Sequence, residues 1–429
     1  MARGRPWLYP LLLAVPFLCG IAVLKGLTTE IDTFHGSDAR VFHLPTILQF
    51  AHALPGLRLH SYPAAQTPLF HLLFAVYGKA VGFEPWKLRL LNVVISYLAV
   101  LALYRLLARL GSGRGLACAL ALVFALSPYF FGASFTLLTD NLAILFGLLA
   151  LERFHRFQAD GSLATFALGA LSMGAAVLTR QAFLWLGLVA AYVLVRSRAP
   201  IGRRVAAAAL AGLALAPFAA LVAYWGGLAP VGANASSCGL CNTPPGVGHQ
   251  ALTLRPVGFT IAIFGLYAAV TYLPVVAGRL RTTLRWSSLR SVGVPLAVGV
   301  VLLAVSPLVY RPISPGHAGD AGYLWKLADR SPAVLSSELL FWVLVPVGAV
   351  ALFLLVRRAG LGSLPAVYFA AFLVAAVPVR IIYQKYFDPF ALLAVMMFVR
   401  PTDLRGARDY AGLAALGVGF VAYAISFAG

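Results

Sequence analysis

Carboxylates are scarce in this chain, with 13 Asp and Glu against 33 Lys and Arg in 429 residues. Charged residues of either sign make up only 11% of it, and hydrophobic residues 61%. So little polar surface excludes a water-soluble globule, which could not cover its own exterior. Cysteine is scarcer still, at four. Cys19 and Cys118 fall in apolar runs, so Cys238 and Cys241 cannot complete a four-cysteine zinc site, and no metal is implied. A local disulfide suits these two in an outer loop. There is no Walker motif, no dinucleotide fingerprint and no stretch between apolar runs large enough for a nucleotide-sugar domain. The net charge of +20 would fit nucleic acid, but the basic residues are strung along short connections rather than gathered on one domain. No nucleic-acid partner follows from it.

What the chain has in abundance is long apolar runs. They fall near 7–27, 88–108, 113–131, 136–152, 163–178, 182–195, 205–224, 257–277, 291–309, 337–356, 362–378, 388–400 and 410–427. A run of roughly 17–25 such residues crosses a ~30 Å hydrocarbon core as a helix. The expected fold is therefore an all-α polytopic membrane protein of about thirteen spans, forming a single transmembrane domain over 1–429. Met1–Pro6 is a short basic leader, and the run after it lacks a small-residue cleavage site, which favours a retained first span over a signal peptide. With the N-terminus in the cytoplasm, 20 of the 33 basic residues and four of the 13 acids lie inside. That asymmetry fixes the orientation. The longer connections then face outward, and a membrane protein that concentrates its loops on one face works there.

The first outer loop, 28–87, holds an unusual share of the polar residues. Glu30, Asp32 and Asp38 are three of the 13 acids, and five of the eight histidines occur by His71. Within it, Val41–Leu54 and Pro68–Val81 are too short or too polar to span, yet carry apolar residues at helical spacing. They are expected to lie in the interface as two helices, the second opened by Thr67-Pro68.

Phe42-His43-Leu44-Pro45 just after an acid, Tyr62-Pro63, Thr67-Pro68-Leu69 and Trp86-Lys87-Leu88-Arg89-Leu90-Leu91-Asn92 together resemble the start of GT-C glycosyltransferases. The nearest likeness is to the terminal glucosyltransferase family of the dolichol-linked oligosaccharide pathway, and a looser one is to bacterial relatives of the protein mannosyltransferases. Leu138-Thr139-Asp140-Asn141 and Thr179-Arg180-Gln181 fit the same pattern, and the resemblance covers mainly residues 28–185. It implies a GT-C-like bundle that moves a sugar, with inversion, from a polyprenyl- or dolichyl-phosphate donor to a glycan, lipid-linked or protein acceptor. The setting it implies is a bacterial inner membrane or the endoplasmic reticulum, with the site toward periplasm or lumen. No cofactor is implied, since the lipid-linked sugar is the substrate.

That chemistry needs a carboxylate to take the acceptor proton and cations to stabilise the leaving phosphate. Asp38 is the expected base and Asp140 a second catalytic acid. Arg180, Arg380 and Lys385 are the expected phosphate ligands, arginine being able to grip phosphate at two points. His43, Tyr62 and His71 are expected near the acceptor or sugar. Each has a plainer reading. Asp38 and Asp140 could cap or orient helices, and Arg180 could snorkel to the interface. Arg380 and Lys385 could belong to an aromatic belt with Tyr383, Tyr386 and Phe387, and the histidines could be structural. The rival class is a transporter or lipid-linked sugar flippase, in which Asp38, Asp140 and Arg180 would line a path. Such proteins place charges and broken helices near the midplane and often repeat internally, and the sequence shows neither.

Overall fold

The computed structural model describes residues 7–23, 25, 27–28, 38–231, 252–283, 286–311, 320–379, 382–404 and 406–426, without the side chains of 276–291. Glu30, Asp32, Arg380 and the Cys238 and Cys241 pair lie outside the described residues. The described chain is helical apart from one two-stranded ribbon, β1 (Ala333–Val334) with β2 (Ser337–Glu338). It divides into two compact units, residues 1–109, 114–247 and 420–429 in the first, and 110–113 with 248–419 in the second.

The first unit contains α1 (Leu8–Ala22), α2 (Leu44–Ala53), α3 (Leu69–Val81), α4 (Pro85–Leu107), α5 (Arg114–Leu126), α6 (Pro128–Ser134), α7 (Asp140–Asp160), α8 (Leu163–Thr179), α9 (Trp185–Arg196) and α10 (Ile201–Trp225). The second contains α11 (Arg255–Thr283), α12 (Trp286–Val305), α13 (Tyr323–Ala328), α14 (Leu339–Ala359), α15 (Leu364–Ala376) and α16 (Asp388–Phe398), and α17 (Ala411–Ser426) follows. Each apolar run read from the sequence contains helix among the described residues. Among the described residues, five helices are long and apolar enough to cross a membrane, six if one bent pair counts as a span, and seven more apolar helices are shorter. The chain is thus an integral, multi-pass membrane protein.

Three elements depart from the expected bounds. The run 113–131 is two helices, α5 and α6, bent by 71° at Ser127. Pro128 cannot donate to the preceding turn and pushes Ser127 out of the helical region, to φ −60° and ψ 138°. The run 136–152 begins as helix only at Asp140 and continues to Asp160, because Glu152 is buried against Arg109 (Nε to Oε1 2.7 Å) and the first strong stop is left-handed Gly161. The first interfacial helix starts at Leu44, and residues 39–43 before it are wound as a π-helical turn.

Turn chemistry and small residues set the packing around the site. Asp160-Gly161-Ser162 reverses the chain in three residues: Ser162 N–H donates to Asp160 Oδ1 (2.9 Å), and Ser162 Oγ accepts from Thr165 N–H (3.3 Å). Helices α7 and α8 therefore run antiparallel, and Asp140 and Arg180 come to the same end. A Cβ at Gly174 would run into the backbone oxygen of Ala214, so α8 and α10 touch through bare backbone. In the second unit a side chain at Gly265 or Gly348 would likewise strike the facing backbone of α14 or α11.

Candidate active site

Thr179-Arg180-Gln181 interrupts two apolar runs, and the interruption is real in the fold. Arg180 is extended (φ −156°, ψ 110°), ending α8 before a single 3-10 turn leads into α9. Its guanidinium forms an ion pair through Nη1 with Asp140 Oδ1, in the first turn of α7. The two side chains are 13% and 21% exposed, so the pair is sheltered but reachable. An acid at the start of a helix also meets the positive end of the helix dipole. Asp140 is in position to hold the guanidinium in place.

The first loop is fastened to this same end. Thr67 Oγ1 donates to Val177 O (2.7 Å), and Gln181 Nε2 donates to Ala65 O (2.9 Å). Farther back, Thr46 Oγ1 accepts from Ala64 N–H (3.1 Å) and Trp225 Nε1 donates to Leu59 O (2.7 Å), which ties the loop to α2 and to the end of α10. Asp38 opens the π-helical turn of this loop, half-buried. Its side chain makes no capping hydrogen bond to the helix it precedes, so the capping alternative is not realised.

His43, Tyr62 and His71, expected beside the acceptor or sugar, are instead packed beneath the loop, at 3%, 2% and 0% exposure. His43 Nδ1 and His71 Nε2 share a hydrogen bond of 2.9 Å, and Tyr62 OH donates to Gln66 O (2.9 Å). Burial, reinforced by the neighbouring His43, holds the His71 imidazole well below the usual histidine range. Burial alone pushes the Tyr62 phenol up. These three side chains hold α2 against α3 and do not present polar atoms to a ligand.

The sequence reading did not assign Asn92 or Asn141, although both stand in quoted segments. Asn92 Nδ2 donates to Ala133 O (2.6 Å) and Thr136 O (2.7 Å), and Asn141 Nδ2 to Ser96 Oγ (2.8 Å) and Ser134 Oγ (3.1 Å). Together they fix the non-helical stretch that delivers Asp140. The available signal was an amide in the middle of an apolar run, which is costly unless paired.

In the second unit Lys385 lies in a 3-10 turn, 8% exposed, with Nζ 5.7 Å and 5.0 Å from the ring centres of Tyr383 and Tyr386. Two further buried groups there had no expected role. Arg255 Nη1 donates to Asp320 Oδ1 (3.2 Å) while its guanidinium lies 5.1 Å over Trp325. Asp388 accepts from Gln384 Nε2 (2.9 Å) and meets Tyr267 and Tyr323. No cluster of three or more metal-ligating side chains occurs among the described residues.

Residues 65–225 match the dolichyl-phosphate-mannose-protein mannosyltransferase family. That stretch is less than half of the chain and holds Asp140, Arg180 and the Asn92 and Asn141 amides, whereas Asp38 lies outside it. The match falls to the looser of the two likenesses read from the sequence. No curated protein matches the chain. Among solved structures, ArnT from Cupriavidus metallidurans in the apo state is 14% identical, over 94% of this chain and 78% of that one, at a TM-score of 0.36.

Proposed function

We propose that this chain is an integral-membrane glycosyltransferase that takes a sugar from a polyprenyl- or dolichyl-phosphate and transfers it, with inversion, to an acceptor hydroxyl. The observation that carries the reading is the Asp140–Arg180 ion pair, inside the mannosyltransferase-like segment and at the end to which the first loop is fastened. Arginine is the side chain suited to a two-point grip on phosphate, and phosphate is the group that must leave. In the proposed step the acceptor oxygen attacks the anomeric carbon and its proton passes to the Asp38 carboxylate. The bond from that carbon to the phosphate oxygen breaks, and the polyprenyl phosphate departs with the electron pair while Arg180 stabilises its charge. Asp140 acts as the positioning partner of Arg180. Lys385 is a second proposed anion-binding group, and Arg380 a third that rests on its sequence position. The acceptor is a glycan, a lipid-linked saccharide or a protein, and the site faces periplasm or lumen. The family match supports a transferase over a transporter.

The purified protein in lipid vesicles, offered a panel of radiolabelled polyprenyl-phosphate sugars with acceptor, tests this. At least one donor should be consumed, and Asp38→Asn should bind it normally while turnover falls by about 10²-fold, the scale of general-base loss. Normal turnover in Asp38→Asn would move the base elsewhere, and no transfer from any donor would overturn the transferase reading.

A further inference from the structure

A buried polar cluster in the second unit joins α11, α13 and the start of α16. The hydroxyls of Tyr267 and Tyr323 are 2.6 Å apart. Tyr267 Oη lies 2.8 Å from Asp388 Oδ1 and 2.7 Å from Oδ2, and Tyr323 Oη lies 2.8 Å from Oδ2. Asp388 and Gln384 are fully buried and Tyr267 is 1% exposed.

Three pairs of groups here are at hydrogen-bond distance: Tyr267 with Tyr323, Tyr323 with Asp388, and Asp388 with Tyr267. Two polar groups approach this closely when at least one proton lies between them, and groups that meet through lone pairs alone repel. Two phenols supply two protons for three contacts. The third must come from the carboxyl group. We propose that Asp388 is held as a neutral carboxylic acid and that the ring it closes is a positioning device for Lys385. In this ring Tyr267 O–H donates to Tyr323, Tyr323 O–H donates to Asp388 Oδ2, and Asp388 Oδ1–H donates to Tyr267. Each of the three groups then gives and receives, which suits a low-dielectric site where an ion without a countercharge would be costly.

The ring reaches Lys385 through Gln384, whose polar groups are all committed. Its Nε2 donates to Asp388 (2.9 Å), its Oε1 accepts from Leu324 N–H (2.8 Å) and its backbone N–H donates to Ala321 O (2.8 Å). The neighbouring residue in the same turn is Lys385, packed between two tyrosine rings. A fixed Gln384 fixes the stem of that lysine. The role assigned to Lys385 rests on the proposed function, whereas the protonation of Asp388 does not.

Two measurements separate these parts. Infrared difference spectra of wild type against Asp388→Asn at neutral pH should show the carbonyl stretch of a protonated carboxyl group, lost in the variant. Carboxylate bands alone would overturn the neutral acid. Asn can donate to Tyr267 and accept from Tyr323 as the acid does, so Asp388→Asn should match wild type in the reactivity of Lys385 toward an amine reagent, read by peptide mass spectrometry. Asp388→Ala should raise that reactivity, and the KM for donor, by about tenfold, the scale of one lost hydrogen bond, with kcat little changed. Equal damage in Asp388→Asn and Asp388→Ala would overturn the ring. If the chain transfers no sugar, no variant turns over, while the spectra and lysine reactivity still decide the proposal.

Discussion

Asp140 and Arg180 are 40 positions apart in sequence, and a turn of three residues brings them together. The sheltered, partly solvated pair should couple by about 1–2 kcal/mol in a double-mutant cycle on thermal stability, between the values of exposed and buried pairs. Arg180→Ala should weaken donor binding by about tenfold or more, and Arg180→Lys should restore only part of it, because an ammonium cannot make the two-point grip. Unchanged donor affinity in Arg180→Ala would leave the residue as an ion-pair anchor only. The sequence disclosed Arg180 because a charge between apolar runs is conspicuous. It did not disclose the partner, since pairing across a hairpin depends on helix lengths to the residue. Asp388 was hidden for the opposite reason: an acid followed by proline at the head of an apolar run looks like an ordinary helix start, and nothing local reports two tyrosines from distant helices.

Among the elements, α2 and α3 were readable from apolar spacing and from Thr67-Pro68, and they fall within a few residues of the expected bounds. The bend at Ser127 was less so, because hydropathy runs unbroken through a proline that stops only the backbone. The histidines were readable as a concentration but not as a buried pair. Their burial gives the two-helix platform a pH dependence. The folded chain holds His71 neutral well below the usual range, while the unfolded chain protonates it below about pH 6.5. The unfolded form then binds more protons, so stability should fall as pH drops from 7 to 5 and be flat for this group above that window. Thermal unfolding in detergent across that range checks it. His71→Gln should lower the stability at pH 7 and flatten the slope, whereas an unchanged slope would place the acid sensitivity elsewhere.

At the level of the whole molecule, the all-helical, multi-pass class was legible, because hydrophobicity at this density leaves no other solution in lipid. The grouping into two units was not, since it depends on which helices share close backbone contacts. Orientation is open to a direct test. In intact cells an impermeant thiol reagent should label Arg58→Cys in the first loop and spare Arg198→Cys between α9 and α10, both exposed positions. The reverse pattern would turn the molecule over and move the proposed site to the cytoplasm. The amide of Asn92 also bears on how such a chain is built. The stretch 135–139 is backbone with no helix of its own, and its carbonyls cannot be left bare in hydrocarbon. Asn92 lies upstream of it, so its donors are already in the bilayer when that stretch leaves the ribosome. Asn92→Leu should therefore act during biogenesis, as retention at the insertion machinery and rapid proteolysis, and reach the membrane in small amounts before any loss of catalysis could be measured.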